Sequence, residues 1–454
     1  MSTLDSSNLN AIFKAYDVRG TVPEQMDAEL AHATGNAFVA ELGADRIVVG
    51  HDMRPSSPEL ARAFADGAAQ AGADVTMIGL ASTDELYFAS GRWERPGAMF
   101  TASHNPAQYN GIKMCRALAA PVGMETGLAE IRDRVASGER TTAVRRGEIT
   151  ERDVLADYAE YLLTLAPVAG RRLRIVVDAG NGMAGLSAPA VLSRIDADVD
   201  ELYFELDGTF PNHEANPIDP ANLVDLQARV RETGADIGLA FDGDADRCFL
   251  VDERGELVSP STLTALIAAR ELAKEPGATI IHNLITSRAV PEIVTELGGK
   301  PVRTKVGHSF IKAVMGQTGA IFGGEHSGHF YFRDFWRADS GMLAALHALA
   351  ALAETDQPLS AVLAPYHRHV SSGEINSEVA DQPAVLRRVE DTWAARDGVS
   401  VDHLDGLSVV HDDWWFNVRA SNTEPLLRLN AEGRDEATMT SIRDAVLGQI
   451  RETA

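Results

Sequence analysis

Cysteine is almost missing from this chain of 454 residues: there are two, Cys115 and Cys248. Nothing around them resembles a disulfide framework or a zinc site, and such usage fits a reducing cytoplasm, where the chain is expected to work. Long apolar runs are missing too. No window reaches the ~18–20 apolar residues of a membrane span. The longest candidate, Met342–Ala353, is short, rich in alanine and interrupted by His347, and predicts a buried helix. The first ten residues, MSTLDSSNLN, have neither a basic start nor an apolar core, so no secretory signal is expected. Positive charge is scarce: 41 basic residues, only six of them lysine, face 66 acidic ones, for a net charge of −25. A nucleic-acid binder has the opposite balance, so neither nucleic acid nor a membrane is expected as a partner. An acidic chain still binds an anion where it gathers Arg, Lys and backbone N–H groups locally, which makes every cation inside a loop motif informative.

What is present is an ordinary globular composition, 45% hydrophobic, with length for three or four domains at about 100–200 residues each. One pattern is written three times. RIVVGHD (46–52), a helical stretch (58–71) and ADVTMIG (73–79) read as strand, helix, strand. The order recurs at 174–178, 186–194 and 201–205, and again at 278–282, 289–297 and 300–305. Each unit is followed by a small-residue apolar strand ending in Phe and then a polar loop: GAMF-TASHNP, IGLAF-DGDADR and GAIF-GGEHSGH. Apolar runs alternating with helices predict α/β units with mixed, largely parallel sheets. Ligands of such sheets sit beyond the carboxyl ends of strands, so the three loops are expected to occupy equivalent places around one cleft. The chain after about residue 366 reads as a small α+β domain. Boundaries are placed at 1–150, 151–254, 255–366 and 367–454.

In Asp242–Arg247 (DGDADR), carboxylates at i, i+2 and i+4 can face one hard cation, Mg²⁺ or Ca²⁺. An EF-hand is excluded, because the sixth position is Arg247 where that loop turns on Gly and the flanks are strands. SHNP (103–106) alone is a turn device as readily as a nucleophile loop. In GEHSGH, Glu325, Ser327 and His329 alternate, and in an extended segment they would point the same way toward vicinal hydroxyls. RASNTEP (419–425) has the composition of a phosphate clamp or of a polar hairpin. Arg19, before Gly20, is a possible anion contact. Taken together, a nucleophile candidate, a cation site, a polyol reader and a phosphate clamp imply phosphoryl transfer on a phosphorylated sugar. No nucleotide-binding motif is present to supply the phosphoryl group from elsewhere.

These four loops, in this order from Phe13 to the last helix, resemble the α-D-phosphohexomutase family and, within it, its phosphomannomutase/phosphoglucomutase group. The resemblance implies four domains around a central cleft. It implies conversion of mannose 6-phosphate to mannose 1-phosphate through a phosphoserine and a hexose 1,6-bisphosphate, the latter also an activator, with glucose phosphates as further substrates. Ser103 would be the phosphoserine, with His104 beside it. Asp242, Asp244 and Asp246 would hold Mg²⁺, the seryl phosphate completing the set. Glu325 and Ser327 would read sugar hydroxyls, and Arg419, Ser421, Asn422 and Thr423 would clamp the phosphate that does not react. Arg19, Lys113, Arg247, His308 and His329 would surround the reacting groups. Phosphoglucosamine mutases carry GEQSGH and DGDGDR; His326 and Ala245 here favour mannose or glucose phosphates. Ile285 departs from some dual-specificity members, which have a Lys there that contacts phosphate. The alternatives are a phosphoglucosamine mutase, a mainly glucose-directed mutase, or a non-catalytic sugar-phosphate or Ca²⁺ binder. A monomer or a homodimer is expected.

Overall fold

The computed structural model describes residues 3–420 and 426–452, and within them all side chains except those of residues 308 and 309. Four sheets follow one another along the chain. The first three share a common frame. In each, a central strand pairs in parallel with one strand on either side, and the third strand turns back through a hairpin into an antiparallel fourth. In the first sheet these are Arg46–His51, Asp74–Leu80 and Gly97–Phe100, then Tyr109–Cys115. In the second they are Leu173–Asp178, Ala197–Leu202 and Ile237–Phe241, then Cys248–Asp252. In the third they are Thr279–Asn283, Lys300–Thr304 and Phe322–Gly324, then Phe330–Phe332. The three polar loops of the sequence are the three hairpins, each at the carboxyl end of the third strand. Their equivalence is therefore topological.

The central strands form because they are continuous Val, Ile and Leu runs, buried on both faces by helices such as Ser57–Gln70 and Ala184–Leu192. Two strands differ from expectation. The one expected at 201–205 lies at Ala197–Leu202, and the chain leaves the sheet at Tyr203 in a left-handed conformation (φ 56°). The one expected to end at Phe322 begins there instead, because Gly319 (φ 68°) caps the preceding helix. Met342–Ala353 is buried as expected, inside the helix Gly341–Ala353. No helix among the described residues is long and apolar enough to cross a membrane.

The fourth sheet, from Val370–Glu378 to Leu426–Gly433, is wholly antiparallel and backed by the helices Gln382–Trp393 and Glu436–Arg451. Its apolar cluster, built on Trp393, Phe416, Leu429 and Val446, is its own. In contrast, one continuous cluster runs from the first unit (Leu86, Phe88, Met99) through the second (Tyr158, Val177, Phe241) into the third (Ile280, Phe335, Leu346).

Candidate active site

The first two hairpins meet face to face. After Phe100, Thr101 Oγ1 accepts from the Ser103 backbone N–H at 2.9 Å and helps hold Ser103 in a left-handed conformation (φ 49°). Its side chain is aimed across the gap between units, and its Oγ donates to Asp242 Oδ2 at 2.6 Å. Arg247 Nη2 donates to the same Oγ at 3.2 Å. Ser103 is thus enclosed, only 2% exposed. Gly243 permits this approach: a Cβ there would lie 2.4 Å from the Ser103 carbonyl oxygen. Beneath the serine loop lies a residue that the motifs did not point to. The fully buried Arg54 donates to the carbonyls of Ser103, Asn105, Pro106 and Tyr109, and pairs with Asp52 at 3.3 Å. The signal in the sequence is its place in HDMRP, at the carboxyl end of the first central strand.

Asp242, Asp244 and Asp246 lie on a loop expected beside a cleft, where carboxylates are ordinarily solvated. They are buried instead, at 0, 0 and 1% exposure, with ligand oxygens all within 4.8 Å of one another. Burial and the neighbouring charges of Asp246 and Asp244 push the Asp242 carboxyl well above its ordinary range. Asp244 goes the other way. Burial opposes its charge, but Lys113, by charge and hydrogen bond, together with the Thr83 hydroxyl and the Arg247 charge, holds the carboxyl down. Lys113 Nζ sits 2.7 Å from Asp244 Oδ2 and 2.5 Å from Asp246 Oδ2, and the two aspartates overcome the burial of the ammonium and raise it. The Oδ1 atoms of Asp244 and Asp246 are buried and accept no hydrogen bond among the described residues. Three carboxylates with two oxygens left over form an oxygen-only set suited to a hard divalent cation.

A cavity of about 520 Å³ opens onto this loop pair. Ser103, His104, Lys113, Asp246, Arg247, His329 and Arg19 line it, as do Tyr16, from the same stretch FKAYDVRG as Arg19, and Asp339, which the motifs did not point to. Arg19 is held by Asp17 and Asn105, both at 2.5 Å. His104 faces the Arg247 guanidinium, which, together with burial, pushes its imidazole down to about 2. The third hairpin joins through a bridge between Arg247 and His329. His329 Nε2 lies 3.6 Å from Asp246 Oδ1, its Nδ1 shares a hydrogen bond with Ser327 Oγ at 2.9 Å, and burial holds the ring below its usual range. GEHSGH is not extended. The Glu325 N–H donates to the His329 carbonyl, so the segment is a tight turn. Glu325 Oε2 accepts from Tyr331 Oη at 2.7 Å, and its Oε1 accepts from Asn283 and from the Gly307 N–H.

Arg419 stands apart on the fourth sheet, its Nη2 donating to Glu374 Oε2 at 2.8 Å. Ser421, Asn422 and Thr423 lie outside the described residues, as does the side chain of His308. Ile285 lines a separate cavity of about 190 Å³ with His326 and Arg368.

Comparison with known proteins matches the whole frame. Models of phosphoglucomutase/phosphomannomutase α/β/α domains I, II and III match residues 10–142, 156–255 and 259–369, and that of the C-terminal domain matches 374–449. The chain is 40% identical over 446 residues to a protein of Xanthomonas campestris pv. campestris named for phosphohexose mutases, covering 96% of this chain and 98% of the relative. It is 39% identical over 452 residues to an Escherichia coli phosphomannomutase, covering 97% and 99%. A crystal structure of a phosphoglucomutase/phosphomannomutase family protein from Burkholderia thailandensis superposes with a TM-score of 0.89 at 35% identity, covering 100% of this chain and 99% of that one. The three hairpins that converge on Ser103, and the separate fourth sheet, are thus a shared inheritance: the chain belongs to the phosphoglucomutase/phosphomannomutase family.

Proposed function

We propose that this chain interconverts mannose 6-phosphate and mannose 1-phosphate, with glucose phosphates as further substrates, and that Ser103 carries the phosphoryl group. The observation behind the reading is Ser103 Oγ at 2.6 Å from Asp242, on the wall of a cavity whose other lining includes Arg19, Lys113, Arg247 and His329. The name of the Escherichia coli relative supports mannose, and that of the Xanthomonas relative supports phosphohexoses more broadly.

In the first half-reaction the free hydroxyl of a hexose monophosphate attacks the phosphorus on Ser103. The sugar O–P bond forms as the Oγ–P bond breaks, and the hydroxyl proton passes to His329. Ser103 Oγ departs with the electron pair, stabilised by the Arg247 guanidinium. The resulting hexose 1,6-bisphosphate turns end for end, its other phosphoryl group returns to Oγ, and the sugar oxygen recovers the proton from His329. Mg²⁺ held by Asp242, Asp244 and Asp246 would neutralise phosphoryl oxygens and the charge that develops on Oγ. Lys113, paired with two aspartates and raised by them, acts as a fixed positive charge rather than as a base. Glu325 and Ser327 read ring hydroxyls. Arg419, with Ser421, Asn422 and Thr423, clamps the phosphate that does not react, once its guanidinium exchanges Glu374 for that phosphate. The units bearing the four loops are taken as 1–150, 151–254, 255–366 and 367–454.

The test is a coupled mutase assay with Mg²⁺ and a hexose 1,6-bisphosphate on mannose, glucose and glucosamine 1-phosphates. Ser103→Ala is expected to lose turnover by at least about 10³-fold with its circular dichroism unchanged. The mass of the intact wild-type chain is expected to show one phosphate, mapping to Ser103. Normal turnover by Ser103→Ala would defeat the scheme. The highest kcat/KM on glucosamine 1-phosphate would defeat the mannose assignment.

A further inference from the structure

Thr83 belongs to none of the four loops. It is the first residue of the helix Thr83–Trp93, in the unit that carries Ser103, and it is completely buried. Two bonds nevertheless tie it to the aspartate loop of the next unit. Its Oγ1 donates to Asp244 Oδ2 at 2.6 Å, and its backbone N–H donates to the Asp244 carbonyl at 3.0 Å. Lys113 shares the same Oδ2, whereas Oδ1 is buried and accepts no hydrogen bond among the described residues. One oxygen of Asp244 therefore carries two donors while the other is kept open.

A carboxylate turns about its Cβ–Cγ bond in a broad, roughly two-fold well, so an unanchored Asp244 would exchange its two oxygens. Lys113 alone is a poor anchor. Its flexible stem and rotatable hydrogens are shared with Asp246. Thr83 holds at two points, and its β-branched side chain is restricted at χ1 within a helix. The helix start is itself pinned. Ser82 and Glu85 form a capping box, and Asp84 accepts from Tyr158 Oη at 2.7 Å and from Ser340 Oγ at 2.6 Å, one from the second unit and one from the third.

We propose that Thr83 is a positioning residue for the divalent cation: it fixes the rotamer of Asp244 so that Oδ1 faces the cation before the cation arrives. The proposal rests on the reading of the aspartate loop as a cation site. Outer partners of this kind typically alter metal affinity by about 10–100-fold.

The experiment titrates Mn²⁺ into the metal-free full chain by isothermal calorimetry, without substrate. Thr83→Val keeps the shape, the β-branch and the backbone N–H and removes only the hydroxyl donor, and it is expected to raise the dissociation constant about tenfold or more. Thr83→Ser restores the donor and is expected to bind within about threefold of the wild type. Thr83→Ala, which adds no bulk, carries the same expectation as Thr83→Val and replaces it if the valine chain does not fold. A wild type that binds no Mn²⁺ would overturn the cation site and this proposal together. Tight binding by the wild type with Thr83→Val inside twofold would overturn the proposal and leave the cation site standing. A serine variant as weak as the valine one would assign Thr83 to packing and would also overturn it.

Discussion

Three carboxylates buried within 4.8 Å of one another repel, and each loses its hydration. The chain offsets this with two cations from different directions. Lys113 comes from the hairpin strand of the first sheet onto Asp244 and Asp246, and Arg247 comes from the aspartate loop's own end onto Asp242, at 3.2 Å. Removing one partner of a buried ionic group leaves uncompensated charge, typically at about 3–5 kcal/mol. Lys113→Met keeps the stem volume and removes the charge. In a chelator its melting temperature is expected to fall well below that of the wild type. Mg²⁺ should restore much of the loss, because a divalent cation supplies the missing charge to the same carboxylates through their other oxygens. The checking measurement is the Mg²⁺-induced rise in melting temperature for both chains. A rise in the variant no larger than in the wild type would show that Lys113 and the cation do not serve the same carboxylates.

The turn Ser82–Glu85 concentrates another charge question within one element. Glu85 Oε2 accepts from the Ser82 N–H at 2.8 Å and lies 3.0 Å from the Ser82 hydroxyl oxygen, yet burial, helped by Asp84, pushes the carboxyl up to about 8. Burial likewise pushes Asp84 up to about 6 against the hydrogen bonds from Ser340, Ser82 and Tyr158. A folded-state value above the unfolded one means that the native chain holds a proton the unfolded chain has released. For Glu85 the window runs from 4.5 to about 8. Its contribution is fully present below that window, declines as pH rises at about 1.4 kcal/mol per pH unit, and is gone above it. Glu85→Gln is neutral at every pH, and its amide oxygen can accept from the same Ser82 N–H. Urea unfolding of both chains from pH 5.5 to 8.5 should therefore show a shallower decline in the variant, most plainly above pH 6, where Asp84 no longer contributes. Parallel curves would mean that Glu85 is ionised in the native state. None of this was legible in the residues STDE (82–85), which carry no motif. The central strands were legible because a buried parallel strand must be an unbroken apolar run, and the aspartate loop because its three alternate carboxylates suit one hard cation while Arg247 and the flanking strands exclude the calcium-loop alternative. The strand shifts near Tyr203 and Gly319 depended on backbone conformations that the apolar pattern does not encode.

Across the whole molecule, the convergence of the three hairpins followed from the repeat, but their contacts did not. Arg54, Thr83 and Asp339 come from segments with no motif; Arg54 matters because the first unit folds back on its own serine loop, and Thr83 and Asp339 because units distant in sequence are packed together. That packing is uneven. The first three units share one apolar cluster, reinforced by the ring of Trp336 from the third unit stacked on Tyr161 of the second and laid against Gly91 of the first. The fourth sheet has an apolar cluster of its own. Among the described residues it is tied to the third unit by polar contacts such as Arg288 to the His411 carbonyl, Arg303 to Asp402, the Val306 N–H to Asp405, and His369 to Glu292. A cavity of about 570 Å³, edged by Leu284, Arg288 and Trp415, lies along this junction. Hydration replaces polar contacts far more readily than it replaces apolar burial, so among the described residues this boundary is expected to open before those that the shared cluster crosses. Calorimetry of the full chain is expected to show two transitions, with the exchange of amides in Trp414–Ala420 and Leu426–Gly433 following the first. A sugar phosphate bridging Ser103 and Arg419 should bring the two transitions together, because it adds a tie across the boundary that only the joined state offers. A single transition in the free chain, with strands of the first and fourth sheets exchanging together, would show that the polar junction is as cohesive as the shared core.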